Sequence, residues 1–365
     1  MDNLTHTFTA LALVHVVSRE RPSGRVLVAA AVAANVQDID SLSRSAIAYH
    51  QVHRGITHSL LAMPLIALLV AAVFHVFRRH SDNPGGASPG WWALFGICLL
   101  AAASHLLLDA LNAYGLRPFL PFDATWYYGD LAGIIDPWMW LVLGGTALLL
   151  TGKHLGAIRT WVVVGSVIVF VALRIIPLEG TFGAIAGLVW VAGAAMFLVL
   201  WLRGVGVEHR RFIAGAGLAA TIAYLGCLVL LHRSALLRAH AIAETAVAGG
   251  RQLDRVVAIP KIGDLSTWRG LAVTEDAIYR FAISIGAAPP PQIERFATLR
   301  TLPLDERQHL EADPEARAYL SFARFVAVAV EAKNGRRVVL VADPRYDAAR
   351  PGEPDTWSVQ SILPQ

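Results

Sequence analysis

Six stretches of the chain, at about 59–77, 91–111, 136–152, 158–176, 182–202 and 212–232, are almost continuously apolar. Runs of roughly 17 to 25 such residues cross the hydrocarbon of a bilayer as helices, because a backbone facing lipid must satisfy its own N–H and C=O groups. The fold class that follows is mainly α: a polytopic membrane domain of about six long transmembrane helices. Two shorter apolar runs, at about 4–17 and 25–37, precede them and read as tilted or re-entrant helices packed against the rest. A composition with 55% hydrophobic and only 16% charged residues excludes an ordinary soluble enzyme.

The opening MDNLTHTFTA lacks the basic region and small-residue cleavage site of a secretory signal, so no processing is expected. The two cysteines, Cys98 and Cys227, lie far apart inside apolar runs and read as packing residues, not as a disulfide or a thiolate metal site. Formal charge is +4, but Lys and Arg are scattered over short loops without forming a stripe, so no nucleic-acid partner is expected.

Three regions follow: 1–155, a membrane domain that holds the polar motifs; 156–232, scaffold helices with almost no ionisable residue besides Arg174 and Glu179; and 233–365, a small soluble α+β domain. In the last, Pro289 to Pro291 mark a linker or turn, and FVAVAVEA and RRVVLVAD read as strands of a hairpin joined at Asn334-Gly335. No nucleophile elbow, phosphate-binding glycine loop or metal spacing occurs there, which leaves an interaction or substrate-covering role.

The chemistry is concentrated in HRGITHS, His53 to Ser59. Two histidines, an arginine and two hydroxyls in seven residues fill lipid poorly but suit a metal and an anion, since imidazole binds zinc-like ions and a guanidinium grips carboxylate or phosphate. The plainer alternative is a polar helix entry capped by Thr57. Upstream lie His6, four residues after the capping Asp2, and the acidic run QDID with Asp38 and Asp40. Downstream, His105 and Asp109 share one helix face at four-residue spacing, where an ionisable pair in an apolar helix needs a partner, either a metal or each other as interhelical glue.

Sidedness favours the metal. If every segment reverses direction, one side receives Arg19, Arg21, Arg25, Arg78, Arg79, Lys153, Arg159, Arg203, Arg210 and Arg211, the other only Arg44, Arg54, Arg117 and Arg174. Positive charge in short loops marks the cytoplasm, so the second side is external. Asp2, His6, Asp38, Asp40, His53, His58, His105 and Asp109 all fall on that second side, whereas His15, His75, His80, His154 and His209 lie on the first. The soluble domain, leaving the last helix, is also expected outside. His/Asp ligands without cysteine suit zinc, manganese or iron, with donors enough for more than one ion. The direct ligands expected are His6, Asp40, His53, His58, His105 and Asp109. Asp38 is expected as ligand or base, Arg54 as anion grip, and Thr57, Ser59 and Asn112 as substrate contacts, with helix capping the alternative for the two hydroxyls.

MDNLTH, QDID, HRGITHSLL, HLLLDALNAYG and the IIDP run at Ile134 to Pro137 together resemble the bacterial membrane-bound metal-dependent hydrolases, also described as LexA-binding inner-membrane hydrolases. The resemblance covers roughly the first 150 residues. It implies a metal-dependent hydrolase of the inner membrane with the residues above as ligands, and the LexA-binding description implies a protein partner as the alternative, with the metal structural or sensory. The His-xxx-Asp pair is similar to part of the zinc-dependent phospholipase C and P1 nuclease pattern, which implies a phosphoester of a lipid or lipid-linked substrate. The complete histidine set of that pattern is absent.

Overall fold

The computed structural model describes residues 1–43, 45–77, 89–178, 180–206, 208–247, 252–286, 290–346 and 358–363. Arg44, Arg78, Arg79, His80, Glu179 and Pro289, and most of the 78–90 connection, lie outside these residues. The fold divides into two compact units: a helical unit of Met1–Ile39, Arg54–Val229 and Ile262–Asp264, and a sheet unit of Asp40–His53, Leu230–Lys261 and Leu265–Gln365.

The helical unit opens with α1 (Asn3–Val17), whose first-turn amides are capped by the Asp2 carboxylate, and α2 (Gly24–Ala33), capped by the Ser23 hydroxyl. The QDID run forms a tight 3₁₀ turn, Val36–Leu42, in which Gln37 is fully buried and donates to the Ala102 carbonyl at 3.3 Å. After the excursion that contains α3 (Ala46–Val52), the chain makes a second short turn, Ile56–His58, and enters α4 (Ala62–Val76). Pro64 falls in the first turn of α4, where a missing N–H is harmless. Helix α5 (Trp91–Asp109) completes a core built largely from small side chains: Ala10, Ala29, Ala30, Ala67, Cys98 and Ala101 are all essentially inaccessible. In lipid, association depends on close backbone approach, and alanine permits it.

Next come α6 (Pro137–Met139), a π-helical turn at Trp140–Gly144, and α7 (Gly145–Leu150), then α8 (Leu155–Ile175), α9 (Gly180–Leu202) and α10 (Arg210–Ala246). The expected count of six long spans is corrected here. Among the described residues four helices, α5, α8, α9 and α10, are long and apolar enough to cross a membrane, or up to five if a bent helix pair counts as one span. The shortfall lies in the runs at 59–77 and 136–152. Ser59 to Leu61 turn before α4 begins, leaving 15 helical residues, about 22 Å at 1.5 Å per residue. Pro137–Leu150 is likewise a shorter apolar helix, and a π turn interrupts it.

At 37 residues α10 is about 55 Å long, more than a bilayer core needs, and it passes from one unit to the other at Leu230. In the sheet unit its last turns carry Ala235, Ala239 and Ala243 at four-residue spacing, packed on Ala258, Trp268, Ala272 and Phe281. These side chains come from an antiparallel sheet of seven strands in sequential order: β1 (Arg255–Lys261), β2 (Asp264–Val273), β3 (Ala277–Ser284), β4 (Ile293–Thr298), β5 (Ala327–Lys333), β6 (Arg336–Ala342) and β7 (Ser358–Ile362). The β5–β6 hairpin turns at Asn334 and Gly335 with φ of 54° and 76°, the left-handed pair that a two-residue hairpin requires. Helices α11 (Leu304–Ala312) and α12 (Pro314–Phe322) connect β4 to β5. The excursion at 40–53 belongs to this unit too: α3 lies on α12, with the buried His50 ring 5.1 Å from Tyr319 and 5.2 Å from Phe322.

Candidate metal centre

Four side chains of the helical unit converge. Asp38 is supplied by the QDID turn, His58 by the turn before α4, and His105 and Asp109 by one face of α5; one ligand atom from each lies within 4.8 Å of all the others. His58, His105 and Asp109 are fully buried, and Asp38 keeps a 16% exposed side chain. His58 Nε2 is 3.0 Å from His105 Nε2, 3.3 Å from Asp38 Oδ1 and 3.4 Å from Asp109 Oδ2.

Acceptor atoms dominate these contacts. His105 Nδ1 donates to the Ala34 carbonyl at 2.8 Å, so in the neutral ring Nε2 presents a lone pair to the cluster. Carboxylates Asp38 and Asp109 also present lone pairs, and neutral His58 can offer one N–H at most. Asp109 Oδ2 is buried with no hydrogen-bond donor, although both imidazole nitrogens stand near it, at 3.4 and 3.5 Å. A buried carboxylate oxygen without a donor beside the His105 lone pair is what a cation relieves, and the second bonds from His105 to a carbonyl and from His58 Nδ1 to Thr57 Oγ1 (3.1 Å) orient the rings as ligating histidines are oriented. The donor set fits a divalent ion, and its nitrogen and oxygen atoms without sulfur match the zinc, manganese or iron expected. Burial works to raise the Asp38 carboxyl's pKa, but the His58 hydrogen bond and the adjacent His105 ring outweigh it and hold it below the usual carboxylate value.

Asp109 is held from behind. Its Oδ1 accepts from Arg54 Nη2 at 3.0 Å and from the Met1 amino group, and His6 Nε2 lies 3.4 Å away. The Arg54 fork is shared with Asn112 Oδ1 (2.9 Å) and the Gly115 carbonyl (3.1 Å), and its plane covers the Tyr114 ring at 4.7 Å. Gly115 has φ of 85° and a Cβ there would strike Tyr128, so glycine is needed where this carbonyl turns toward the guanidinium. Asn112 Oδ1 also accepts from the Tyr114 amide at 2.9 Å; with two donors fixing the oxygen, Nδ2 is a buried donor with no acceptor.

The remaining sequence candidates sit as follows. His6 is buried, stacks on His105 with ring centres 4.0 Å apart, and has Nε2 at 3.2 Å from the Met1 carbonyl, outside the four-residue group. Asp40 and His53 belong to the sheet unit, where they bond to each other at 2.8 Å and His53 stacks on Tyr49. Ser59 accepts the Ala62 amide at 3.0 Å, a capping role, while Thr57 serves His58. Asp2 caps α1 and accepts from Trp140 Nε1 at 2.9 Å. Reading side-chain types did not single out Gln37, Tyr114 or Trp140. The IIDP aspartate, Asp136, caps α6 and accepts from Tyr224 at 2.8 Å.

Comparison with known proteins agrees with a membrane protein and names no reaction. The chain is 28% identical over 187 residues to the uncharacterized protein YfhP of Bacillus subtilis (strain 168), an alignment covering 48% of this chain and 51% of YfhP. The match therefore takes in about half the length of that curated relative. No solved structure matches the chain. The part of the chain that holds the cluster, residues 1–181, matches the family described as YdjM inner membrane protein.

Proposed function

We propose that the protein is a divalent-metal-dependent hydrolase of the cytoplasmic membrane that cuts a phosphoester of a lipid or lipid-linked substrate, with its site at the outer face. The observation that carries the reading is the convergence of Asp38, His58, His105 and Asp109 within 4.8 Å, with Asp109 Oδ2 buried and without a hydrogen-bond donor. His58, His105 and Asp109 would hold the ion, with Asp38 as a further ligand or as the base, and when bound it would supply Lewis acidity, acidifying water and polarising the bond to be cut.

The chain's own residues support the rest. Arg54 balances the Asp109 charge and fixes one of its oxygens, so that the other faces the cluster. Asp38 is the most accessible of the four and is the group suited to orient a water and take its proton. Asn112 Nδ2, a buried donor without an acceptor, is placed to bind a phosphoryl oxygen, and the nearby Arg54 charge favours an anion. Thr57 orients His58. Apolar helices at both sides of the turn motifs favour a substrate that arrives through lipid.

The test is metal analysis of purified full-length protein with hydrolysis of phospholipids and bis-p-nitrophenyl phosphate. His58→Ala and Asp109→Asn should each lose bound metal and activity together while still inserting in the membrane. Unchanged metal in both variants overturns the site. Metal bound by the wild type without hydrolysis of any phosphoester overturns the reaction class.

A further inference from the structure

The end of the helical unit away from the cluster carries a second feature. A cavity of about 470 Å³ is walled by one face of α5, Ala93, Gly96, Ile97 and Leu100, together with Val26 of α2, and its mouth is formed by the Ser18–Pro22 loop. The α5 residues repeat at three and four positions, so they form one stripe. From Ala93 to Leu100 that stripe descends about 10 Å along the helix. It starts beside Trp91 and Trp92, the latter 76% exposed, and tryptophan belongs at the headgroup level of a bilayer. The cavity thus runs from headgroup depth into hydrocarbon.

Its mouth is cationic. Arg19 and Arg21 are exposed on the rim, with Glu20 the acidic residue between them. The C-terminal carbonyls of α1 would normally oppose an anion there. Here Arg211 donates to the Val16 carbonyl in the last turn of α1 at 3.2 Å, and Arg210 donates to the Ser18 and Arg19 carbonyls that follow it at 3.4 and 2.7 Å. Two guanidinium groups thereby offset the negative end of the helix. An apolar shaft below a basic rim matches an amphiphile with an anionic head.

We propose that this cavity seats an acyl chain of an anionic phospholipid whose phosphate rests on Arg19 and Arg21. The site is separate from the metal cluster and does not depend on hydrolysis. Gly96 gives the means to test it, because it lines the shaft and a Cβ there meets nothing within 4 Å, so an added side chain starts into open space.

Full-length protein is mixed with phosphatidylglycerol or phosphatidylcholine of identical chains, and retained lipid is counted by native mass spectrometry. The wild type should hold phosphatidylglycerol preferentially. Arg19→Gln with Arg21→Gln should weaken that retention about thirtyfold, the effect of two interfacial arginines, down to the level of phosphatidylcholine. Gly96→Phe should remove the retained phosphatidylglycerol while both arginines remain. Equal retention of the two lipids by wild type overturns the proposal, as does wild-type retention in the Gly96→Phe protein. Displacement of the lipid by millimolar inorganic phosphate marks a headgroup-only site and overturns the acyl-chain assignment.

Discussion

Arg54 occupies the left-handed backbone region at φ of 51°, which a long side chain adopts only where its surroundings compel it. The compulsion here is a planar fork engaged by Asp109, Asn112 and the Gly115 carbonyl and stacked on Tyr114. Lysine keeps the charge but cannot make these parallel bonds. Arg54→Lys should therefore insert normally and lose about 10- to 100-fold in metal affinity, the usual effect of removing the support behind a ligand. Competition with a graded series of chelators measures it; wild-type affinity in the lysine variant would show that Asp109 holds its position unaided. At this scale HRGITHS and the His105/Asp109 spacing were legible because side-chain chemistry alone marks them. The partition within the motif was not. His53 and His58 at the two sides of the motif enter different units, His53 to bond Asp40 and His58 to face Asp38, and identity alone cannot reveal which way each points. Nor could sequence show that a backbone carbonyl, that of Ala34, fixes the tautomer of His105.

Helix boundaries depend on small local bonds, and α12 illustrates one that responds to pH. Asp313 caps it, accepting from the Glu315 and Ala316 amides at 2.9 and 3.3 Å, while the Ser361 hydroxyl donates to its other oxygen at 2.8 Å and ties β7 to the cap. Partial burial acts to raise the Asp313 pKa, but the Ser361 and amide hydrogen bonds outweigh it and hold the carboxyl below its ordinary value. A depressed folded pKa adds stability that is fully present above the unfolded value, about 3.9 for aspartate, and is lost as pH falls through the folded value. Hydrogen-exchange protection of α12 and β7 in the full-length protein, corrected for the intrinsic pH dependence of exchange, should accordingly fall below about pH 4. Asp313→Ala should exchange faster already at neutral pH, by about fivefold for a typical cap worth roughly 1 kcal/mol, and should lose part of the acid dependence. An acid profile identical to wild type would remove Asp313 from the account. Of the elements, the long apolar helices and the Asn334-Gly335 hairpin could be read in advance, since hydropathy and turn chemistry fix them locally. The shorter α4 and the π turn at Trp140–Gly144 could not, because apolar content does not distinguish a helix that spans from one that stops short.

For the whole molecule, the open quantity is orientation. Within the helical unit, Arg210 and Arg211 bond the end of α1 beside Arg19, and Lys153 Nζ donates to the Leu202 carbonyl at 2.7 Å next to Arg203. The basic loops identified in the sequence are thus drawn into pairs at matching helix ends, while His58, His105 and Asp109 occupy the end where α5 finishes. The external site proposed above rests on the tendency of short basic loops to stay in the cytoplasm. That tendency holds for loops of this length and not for the charges of the sheet unit, since long domains cross largely regardless of charge. Two exposed positions discriminate the orientations: Gly24, beside the Arg19–Arg21 loop, and Ala124, in the polar loop after α5. In a protein with Cys98 and Cys227 replaced by alanine, Ala124→Cys should react with a membrane-impermeant maleimide applied to the outer face of intact spheroplasts, and Gly24→Cys only after the membrane is opened. The reverse pattern would put the His/Asp cluster on the cytoplasmic face, so that any lipid phosphoester reaching it would come from the inner leaflet and the external site proposed above would have to be abandoned.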